Sequence, residues 1–335
     1  MNRAAHLPTK DLHDLFSNTA ASLGIRPAIV EKDFWVCFVL KKLFVESAFR
    51  SHLVFKGGTS LSKVYGLIQR FSEDIDLVLD WRLLGLALGF NEERLSKTQQ
   101  DKLNKNANQL AGEFIARELC PELNRIFQDS RIGISAAMDE KDPQVVNIAY
   151  PAAFTEAYLR PEVRLEIGPL ASWVPSANHR IQPYAADVFP NVFDDPACPV
   201  LAIAAERTFW EKATILHQEA HREGLIPTRH SRHYYDLCKL AMSPVRDAAL
   251  ANLNLLRDVV EFKQHFYPSR WALYHLALPG SFKLLPAGTG QLRELEQDYE
   301  QMQMMLFGDP PSFPTMLATL AELERDINAL ESAPH

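Results

Sequence analysis

The segment FKGGTSLSK at residues 55–63, followed by SEDID at residues 72–76, decides how this chain folds. The whole chain of 335 residues contains only 14 glycines, so the adjacent pair Gly57 and Gly58 is distinctive. Glycine permits backbone angles and close approaches that other residues forbid. We therefore expect a tight turn at this pair, although such a pair by itself marks an ordinary turn more often than a ligand site.

The residues around the glycine pair predict a strand, a turn and a helix in succession. HLVF at 52–55 is a short strand candidate, and Thr59 or Ser60 is suited to cap a helix that runs past Lys63 and Tyr65. Backbone N–H groups of such a turn and the positive end of a helix dipole form a cradle for phosphate. Lys63 lies four residues after Thr59, so it shares that helix face and can reach a bound phosphate.

Paired carboxylates follow the predicted helix at short range. The segment 72–80 alternates in polarity and predicts a strand, in which Asp74 and Asp76 point to the same face. Carboxylate oxygens are the ligands that Mg²⁺ prefers in proteins. Glu166, in the alternating strand candidate EVRLEI, is the best-placed third carboxylate, with Glu162 on the same face. A lone Asp-x-Asp pair is often a solvated strand face, but its position after the glycine turn favours a metal and phosphate site.

The composition is that of a folded protein, with 47% hydrophobic and 23% charged residues. The net charge of −7, from 35 Lys and Arg against 42 Asp and Glu, excludes a protein that binds nucleic acid along its whole surface. Four scattered cysteines without a CxxC pair predict reduced thiols rather than a disulfide framework or a zinc site. Because no secretory signal or membrane-spanning stretch is visible, we expect a cytoplasmic protein that does not engage a membrane.

The order of predicted elements divides the chain into a mixed half and a helical half. A linker or domain boundary is predicted at 168–199, which is rich in proline. Before it, helices are predicted at 10–23, 28–46 and 91–129, and strands at 131–137, 145–150 and 162–167. After it, helices are predicted at 201–222, 230–241, 245–265, 291–307 and 313–331.

Basic residues concentrate at the start of the helical half. The span 207–233 contains Arg207, Lys212, His217, His221, Arg222, Arg229, His230, Arg232 and His233. Such a patch suits RNA or a triphosphate through salt-sensitive phosphate contacts, while a solvated helical hairpin explains the same pattern equally well. Histidines without cysteines or closely spaced carboxylates do not predict a zinc site.

The motifs GGTSLSKVYG and RFSEDIDLVL resemble those of the AbiEii/AbiGii toxin family, a branch of the DNA polymerase β-like nucleotidyltransferases. VEKDFWVCFVLKKLF is similar to the helix before the family's strand, and AERTFWEKATILH and RHSRHYYDLCKL are similar to its later motifs. The resemblance spans residues 28–240. It implies an α+β fold, with a polymerase β-like nucleotidyltransferase domain and its mixed sheet at 1–190, followed by an all-helical domain at 195–335.

The resemblance also implies an activity and a set of site residues. Family members bind a nucleoside triphosphate (NTP) and Mg²⁺ and act as toxins of toxin–antitoxin or phage-defence systems, and MenT-type relatives add nucleotides to the 3′ end of tRNA. On this sequence, the residues implied in triphosphate binding are Gly57, Gly58, Thr59, Ser60 and Lys63. Those implied in metal binding are Asp74, Asp76 and Glu166, the last in place of an aspartate of the family pattern. Those implied in catalysis are Asp74, Asp76, Lys63, Lys212, Asp236 and Glu166.

The surroundings of Lys212 and Asp236 support these two residues only in part. In the helix predicted at 201–222, Lys212 lies beside an apolar stripe, so it either reaches out to water or is aimed at an anion. Asp236 lies four residues after Arg232, a spacing that by itself is typical of a surface ion pair. Only the resemblance therefore assigns Asp236 to a site.

The expected reaction is Mg²⁺-dependent transfer of a nucleoside monophosphate (NMP) from an NTP to an RNA acceptor, with the tRNA 3′ end as the leading candidate. Transfer of the NMP to a protein hydroxyl uses the same site with another acceptor. A nucleotide-binding regulator without turnover is the alternative from another class, and the intact Asp74 and Asp76 pair speaks against it. The resemblance adds a cognate antitoxin protein as an expected partner.

Overall fold

A computed structural model of the chain describes residues 1–70, 72, 74–86, 95–154 and 161–330. Parts of three predicted elements, at Glu73, 91–94 and 331, lie outside these residues, as does Phe71 of the second motif. The strands are β1 (Leu53–Lys56), β2 (Asp74–Leu79), β3 (Ser135–Met138), β4 (Val145–Ala149), β5 (Glu162–Gly168), β6 (Ser176–Ile181) and β7 (Cys198–Ile203). The α-helices are α1 (Asn2–Ala5), α2 (Thr9–Leu23), α3 (Pro27–Lys41), α4 (Gly57–Lys63), α5 (Lys97–Phe114), α6 (Cys120–Ser130), α7 (Tyr184–Val188), α8 (Ala205–Ala220), α9 (Ser231–Ala241), α10 (Val245–Leu250), α11 (Leu253–Phe266), α12 (Thr289–Met302) and α13 (Phe313–Ala329).

The chain forms two compact units. The first contains Met1–Val64 and Phe71–Ile203, and the second contains Tyr65–Arg70 and Ala204–His335. The domains predicted from sequence, 1–190 and 195–335, differ from these units in extent, since β7 joins the sheet of the first unit and a short segment before β2 joins the second. Among the described residues, no helix is both long enough and apolar enough to cross a membrane.

The first unit is built around one mixed sheet of seven strands in the order β3-β4-β5-β2-β1-β7-β6. β2 pairs with β5 in parallel, and β1 pairs with β7 in parallel, whereas the remaining neighbours are antiparallel. The predicted α+β class with a mixed sheet is confirmed. Parallel neighbours require crossover connections, and the long connection from β2 to β5 contains α5, α6 and the β3–β4 hairpin.

One face of the sheet is apolar and lies under helices. Ile75 and Leu77 of β2 and Leu165 of β5 belong to a core that also holds the aromatic side chains of α3. Residues 74–77 of β2 and all residues of β5 alternate between buried and half-buried positions, because successive side chains in a strand point to opposite faces. The other face of these two strands therefore carries their polar side chains.

Helix α3 is buried on all sides rather than along one stripe. Pro27 lies in its first turn, where the missing N–H has no helical partner to lose. All residues from 28 to 40 are buried, which confirms the buried helix expected from this apolar segment. Phe34 lies at the aromatic centre, since its ring centroid is 5.0 Å from that of Trp35 and 5.5 Å from that of Phe16.

The prediction of a linker at 168–199 is wrong. This segment contains β6 and α7, and it leads into β7, which lies between β1 and β6 in the sheet. Its prolines mark the ends of short elements: Pro183 precedes α7, and Pro190 begins a 3-10 turn. Proline is excluded from the interior of helices and central strands but not from their boundaries, so a proline-rich segment can still form part of a core.

The second unit is helical within the residues that the structure describes. α8 packs against α9, α10 and α11, and α9 also packs against α12 and α13. The helix predicted at 201–222 begins at Ala205 instead, because the preceding residues belong to β7. The helix predicted at 245–265 is two helices, divided where the side chain of Asn252 accepts a hydrogen bond from the backbone N–H of Leu255 and caps α11.

Replacing Phe34 by alanine is expected to lower the free energy of unfolding of the first unit by about 3–5 kcal/mol, because a fully buried aromatic side chain leaves a cavity. Leu23→Ala at the end of α2, where the side chain is 44% exposed, is the control and is expected to change it by less than about 1 kcal/mol. Urea unfolding followed by circular dichroism measures both. Equal losses in the two variants would contradict the assignment of Phe34 to the core.

Candidate active site

The turn between β1 and α4 brings the chain against β2 at one residue. Lys56 pairs with Asp76 across the antiparallel strands, and α4 begins at the next residue, Gly57. Gly57 has a φ of +79°, and a Cβ atom at this position would lie 1.9 Å from Asp76 Oδ2. Residues other than glycine resist a positive φ, and no side-chain atom fits in this space. The turn and the Asp76 carboxylate are therefore in van der Waals contact only because residue 57 is glycine.

The hydroxyls of Thr59 and Ser60 are hydrogen-bonded inside the first unit. Thr59 Oγ1 donates to the carbonyl oxygen of Asp74 at 2.5 Å, and Ser60 Oγ donates to that of Gly57 at 3.1 Å. The prediction that one of these residues caps α4 is wrong, because the helix begins directly after Lys56, which is its N-cap residue. The positive φ of Gly57 starts the helix earlier, and both hydroxyls lie within it.

Lys63 ends α4 and is directed into the interior of the first unit. Its Nζ lies 2.7 Å from Asp33 Oδ1 and 3.8 Å from the centroid of the Tyr184 ring. Burial acts to lower the pKa of Lys63, but the charge of Asp33 outweighs it and raises the pKa, so Lys63 stays charged. The prediction that the helix runs past Lys63 and Tyr65 is also wrong, since Gly66 has a φ of +63°.

Asp74, Asp76 and Glu166 share the polar face of the sheet. β2 and β5 are parallel neighbours, in which Asp76 is the Cα partner of Glu166 and Asp74 is the Cα partner of Arg164. All four residues are half-buried. Because register partners in adjacent strands point to the same face, the structure places Glu166 beside Asp76.

The guanidinium of Arg164 lies between two carboxylates on this face. Its Nε donates to Glu166 Oε1 at 3.1 Å, and its Nη1 lies 3.5 Å from Asp139 Oδ2. Asp139 is held in place by Asn147 Nδ2, which donates at 3.0 Å, and by two backbone N–H groups of the turn that follows it. Burial acts to lower the pKa of Arg164, but Glu166, Asp74 and Asp139 raise it. Arg164 is therefore a fixed positive charge within a group of carboxylates.

The carboxylates on this face suit a hard divalent cation such as Mg²⁺, which prefers oxygen ligands. Within the described ranges, no three His, Cys, Asp or Glu side chains are grouped closely enough to hold a metal ion. The Glu166 carboxylate accepts a hydrogen bond from Arg164 Nε. Asp74, Asp76 and Glu166 fit the cation by their chemistry and by their shared face.

Asp236 is the centre of a buried charge cluster in the second unit. Arg70 donates to both of its oxygens, from Nε to Oδ1 at 2.7 Å and from Nη2 to Oδ2 at 2.9 Å. Lys212 Nζ lies 3.0 Å from Asp236 Oδ2 and 3.0 Å from His233 Nδ1. The structure therefore brings together Lys212 and Asp236, the two site residues predicted for the helical half.

The partners of Asp236 decide its charge. Burial acts to raise the pKa of this carboxyl, but Arg70 and Lys212 outweigh it and hold the pKa well below its usual range. Burial and then Lys212 lower the pKa of His233, so its neutral ring accepts the hydrogen bond from Lys212. The interpretation of Asp236 as a surface partner of Arg232 is wrong, because Asp236 is completely buried and pairs with Arg70 and Lys212.

The basic residues of the span 207–233 do not form one exposed patch. Arg207, Lys212 and His217 are buried in the helical unit. The two ring nitrogens of His217 bond to backbone groups in the segment that follows α11. Because these three side chains pack inside the unit, the prediction of a single exposed RNA-binding patch is wrong for them.

Sequence analysis did not identify the charged residues that contact the predicted site residues. Arg164 stands in the quoted strand between Glu162 and Glu166, so the alternation of that strand was a signal that could have identified it. Arg70 contacts Asp236 across 166 residues of chain, and no local pattern signals such a contact. The same is true of Asp33 and its ion pair with the end of α4.

The structure combines a mixed sheet with carboxylates on one sheet face beside a glycine turn, and a family match defines the class of protein as a nucleotidyltransferase. The chain belongs to the AbiEii family, because the family model described as "Nucleotidyl transferase AbiEii toxin, Type IV TA system" matches residues 39–322. It is thus an enzyme of a toxin–antitoxin family.

Comparison with solved structures finds proteins of similar fold. The chain is similar to a solved structure of MenT4, nucleotidyltransferase toxin Rv2826c from Mycobacterium tuberculosis H37Rv, at 17% sequence identity and a TM-score of 0.42. The similarity covers 97% of this chain and 100% of that one. No curated protein matches the sequence.

Gly57→Ala is expected to slow nucleotidyl transfer by about tenfold or more, because the new Cβ displaces the Asp76 carboxylate and transfer depends on the position of the groups in the site. Its positive φ adds a cost of about 1–2 kcal/mol in stability. The matched control is Gly133→Ala, where φ is +65° and, apart from Gly133 and its two chain neighbours, no described atom lies within 4 Å of the added Cβ. Transfer rates and unfolding free energies are measured for both, and similar losses of activity would rule out a specific role for the Asp76 contact.

Burial lowers the pKa of His217 to about 4, whereas an unfolded histidine titrates near about 6.5. The unfolded chain therefore binds one more proton in this window, and stability falls as the pH drops from about 6.5 to about 4, by up to about 1.4 kcal/mol per pH unit. His217→Gln keeps a donor and an acceptor but does not titrate, so the dependence is expected to become shallower. Urea unfolding at several pH values measures it, and an unchanged slope would contradict the assignment.

Proposed function

We propose that the protein is a Mg²⁺-dependent nucleotidyltransferase toxin that transfers an NMP from an NTP to an RNA acceptor in the cytoplasm, with the 3′ end of tRNA as that acceptor. The observation that carries the proposal is the placement of Asp74, Asp76 and Glu166 on one sheet face, with Asp76 in contact with Gly57. Membership of the AbiEii family supports the enzyme class and the toxin role, and implies a cognate antitoxin as a partner.

The first unit holds the nucleotide and the cations in this proposal. Asp74, Asp76 and Glu166 are the metal ligands, and the turn at Gly57 and Gly58 binds the triphosphate through backbone N–H groups. A bound divalent cation neutralises phosphate oxygens and stabilises the charge that develops on them. Such a reaction asks little covalent chemistry of the protein, so positioning and electrostatics supply most of the rate.

The transfer forms one bond and breaks another. The acceptor hydroxyl oxygen attacks the α-phosphorus of the NTP, and the bond from that phosphorus to the oxygen bridging the β-phosphate breaks. Pyrophosphate leaves with the electron pair of that bond. The hydroxyl proton passes to a general base within hydrogen-bond reach, either Glu166 or water.

We assign Thr59, Ser60 and Lys63 to the support of the triphosphate turn. The Thr59 hydroxyl bonds to the main chain of Asp74 and so sets the position of α4 against β2. Lys63 neutralises the buried Asp33, because an unpaired carboxylate in that position would cost several kcal/mol. These contacts favour an indirect contribution, through the backbone that the three residues hold, over direct contact between their side chains and phosphate.

In the second unit, Lys212 is the proposed counter-charge for phosphate, and Asp236 is the residue that holds it. Asp236 contributes one negative charge, whereas Arg70 and Lys212 contribute two positive charges. His233 is neutral, and the charge of Asp236 acts against the burial that lowers the pKa of Lys212, so with Lys212 charged the cluster has a net positive charge. A partly desolvated positive cluster attracts anions such as the phosphates of a nucleotide.

Incubation of the purified protein with Mg²⁺, each α-labelled NTP in turn and total tRNA is expected to label the tRNA. Asp76→Asn keeps the shape of the side chain but removes its charge, and we expect labelling to slow by about a hundredfold or more. Asp129→Asn is the matched control, because Asp129 is an exposed carboxylate of α6 that pairs with Arg125. It is expected to keep the wild-type rate.

The possible outcomes separate the acceptors. Label on tRNA that disappears with Asp76→Asn supports the proposal and identifies the nucleotide. Label on protein that disappears with the same change replaces RNA by a protein hydroxyl as the acceptor. Bound NTP without label on either contradicts transfer to RNA.

A further inference from the structure

Arg164 is a positive charge on the sheet face to which we assigned the metal ligands. It is the register partner of Asp74, and it precedes Glu166 by two residues on the same strand and face. Its Nε hydrogen bond to Glu166 Oε1 holds that carboxylate at 3.1 Å. The Arg164 guanidinium and a divalent cation would both bind the carboxylate oxygens of Glu166, so they compete for this side chain.

We propose that Arg164 is a built-in counter-ion that competes with the divalent cation for Glu166 and releases this carboxylate to the cation by shifting its own pairing to Asp139. The inference rests on the proposed function, since it assumes that Glu166 is a metal ligand. Arg164 is a positioning residue in this scheme, because it acts through Glu166 and touches neither nucleotide nor acceptor.

The two carboxylate partners of Arg164 differ in how firmly they are held. Asp139 accepts hydrogen bonds from Asn147 Nδ2 and from the backbone N–H groups of Lys141 and Asp142, so it stays in place whichever partner Arg164 takes. Glu166 has a longer side chain with one more torsion than an aspartate, and this side chain is 43% exposed. Arg164 can therefore lose Glu166 and keep a charged partner, whereas a guanidinium with a single partner could not.

The cost of the exchange is small. The Arg164 side chain is 36% exposed, and ion pairs as exposed as this one contribute little to stability because water screens them. A cation that binds to Asp74 and Asp76 repels the guanidinium, whose register partner is Asp74. This repulsion shifts the Arg164 guanidinium towards Asp139. Binding of the cation and release of Glu166 from Arg164 therefore favour each other.

Mn²⁺ binding to the full-length protein, measured without nucleotide from the electron paramagnetic resonance signal of free Mn²⁺, tests the inference. Arg164→Met is expected to tighten Mn²⁺ binding by about two- to fivefold, the size that removal of a half-exposed competing ion pair allows. In the Glu166→Gln background, where the contested carboxylate is gone, the same change is expected to have no effect. Arg125→Met, which removes another arginine paired with a glutamate in α6, is the matched control and is expected to leave binding unchanged.

A second variant tests the other partner. Asp139→Asn leaves Arg164 with Glu166 alone, so Mn²⁺ binding is expected to weaken by about two- to fivefold, and this loss is expected to vanish in the Arg164→Met background. Circular dichroism of each variant establishes that it is folded. A general loss of structure would weaken Mn²⁺ binding in both variants, so it cannot explain tighter binding in Arg164→Met together with weaker binding in Asp139→Asn.

Several results would overturn the inference. Unchanged or weaker Mn²⁺ binding in Arg164→Met would make Arg164 a structural ion pair only. An equal gain in the Glu166→Gln background would reduce the effect to long-range charge. Absence of Mn²⁺ binding in both the wild type and Arg164→Met would overturn the metal site and the inference together, whereas the expected Mn²⁺ results without any label on tRNA would overturn only the proposed acceptor.

Discussion

The contact between Gly57 and the Asp76 carboxylate is the constraint on which the candidate site of the first unit depends. The register of β1 and β2 places Lys56 opposite Asp76, so the chain has to leave the strand and begin a helix where that carboxylate stands. Only glycine satisfies both the positive φ and the lack of space. The Thr59 hydroxyl adds a second tie, to the main chain of Asp74. These two contacts therefore fix the turn against the part of β2 that carries the carboxylates.

The charged residues near the motifs divide into two groups by burial. Lys63 and Asp236 lie inside their units, where an unpaired charge costs several kcal/mol, and each has at least one partner of opposite charge at 3.0 Å or less. Asp74, Asp76 and Glu166 lie on a half-buried sheet face, where water and a cation can reach them. The buried, paired charges of the first group stabilise the fold. The half-buried carboxylates of the second group are the ones that could bind a cation. The AbiEii family match covers the segments that contain both groups.

Local patterns predicted elements better than they predicted boundaries. Helix α3 was identified from a continuous apolar run too long for a strand, and β2 and β5 were identified from residues that alternate at the period of a strand. The segment 168–199 was misjudged as a linker because its prolines, which end short elements, are indistinguishable in sequence from the prolines of a loop. The start of α4 was misplaced because a positive φ at its first residue is a property of the fold and not of the residues that follow.

The sequence by itself determined the candidate site residues on β2 and β5 and the glycine turn, since spacing along a strand or a turn is enough to place side chains on one face. Tertiary structure decided what those residues contact: Arg164 against Glu166, Lys63 against Asp33, and Arg70 against Asp236. The last two contacts join distant parts of the chain, and they form because a buried charge must find an opposite charge wherever the fold supplies one. Periodicity reports on the chain's own geometry, whereas the choice of such partners depends on packing that no local pattern encodes.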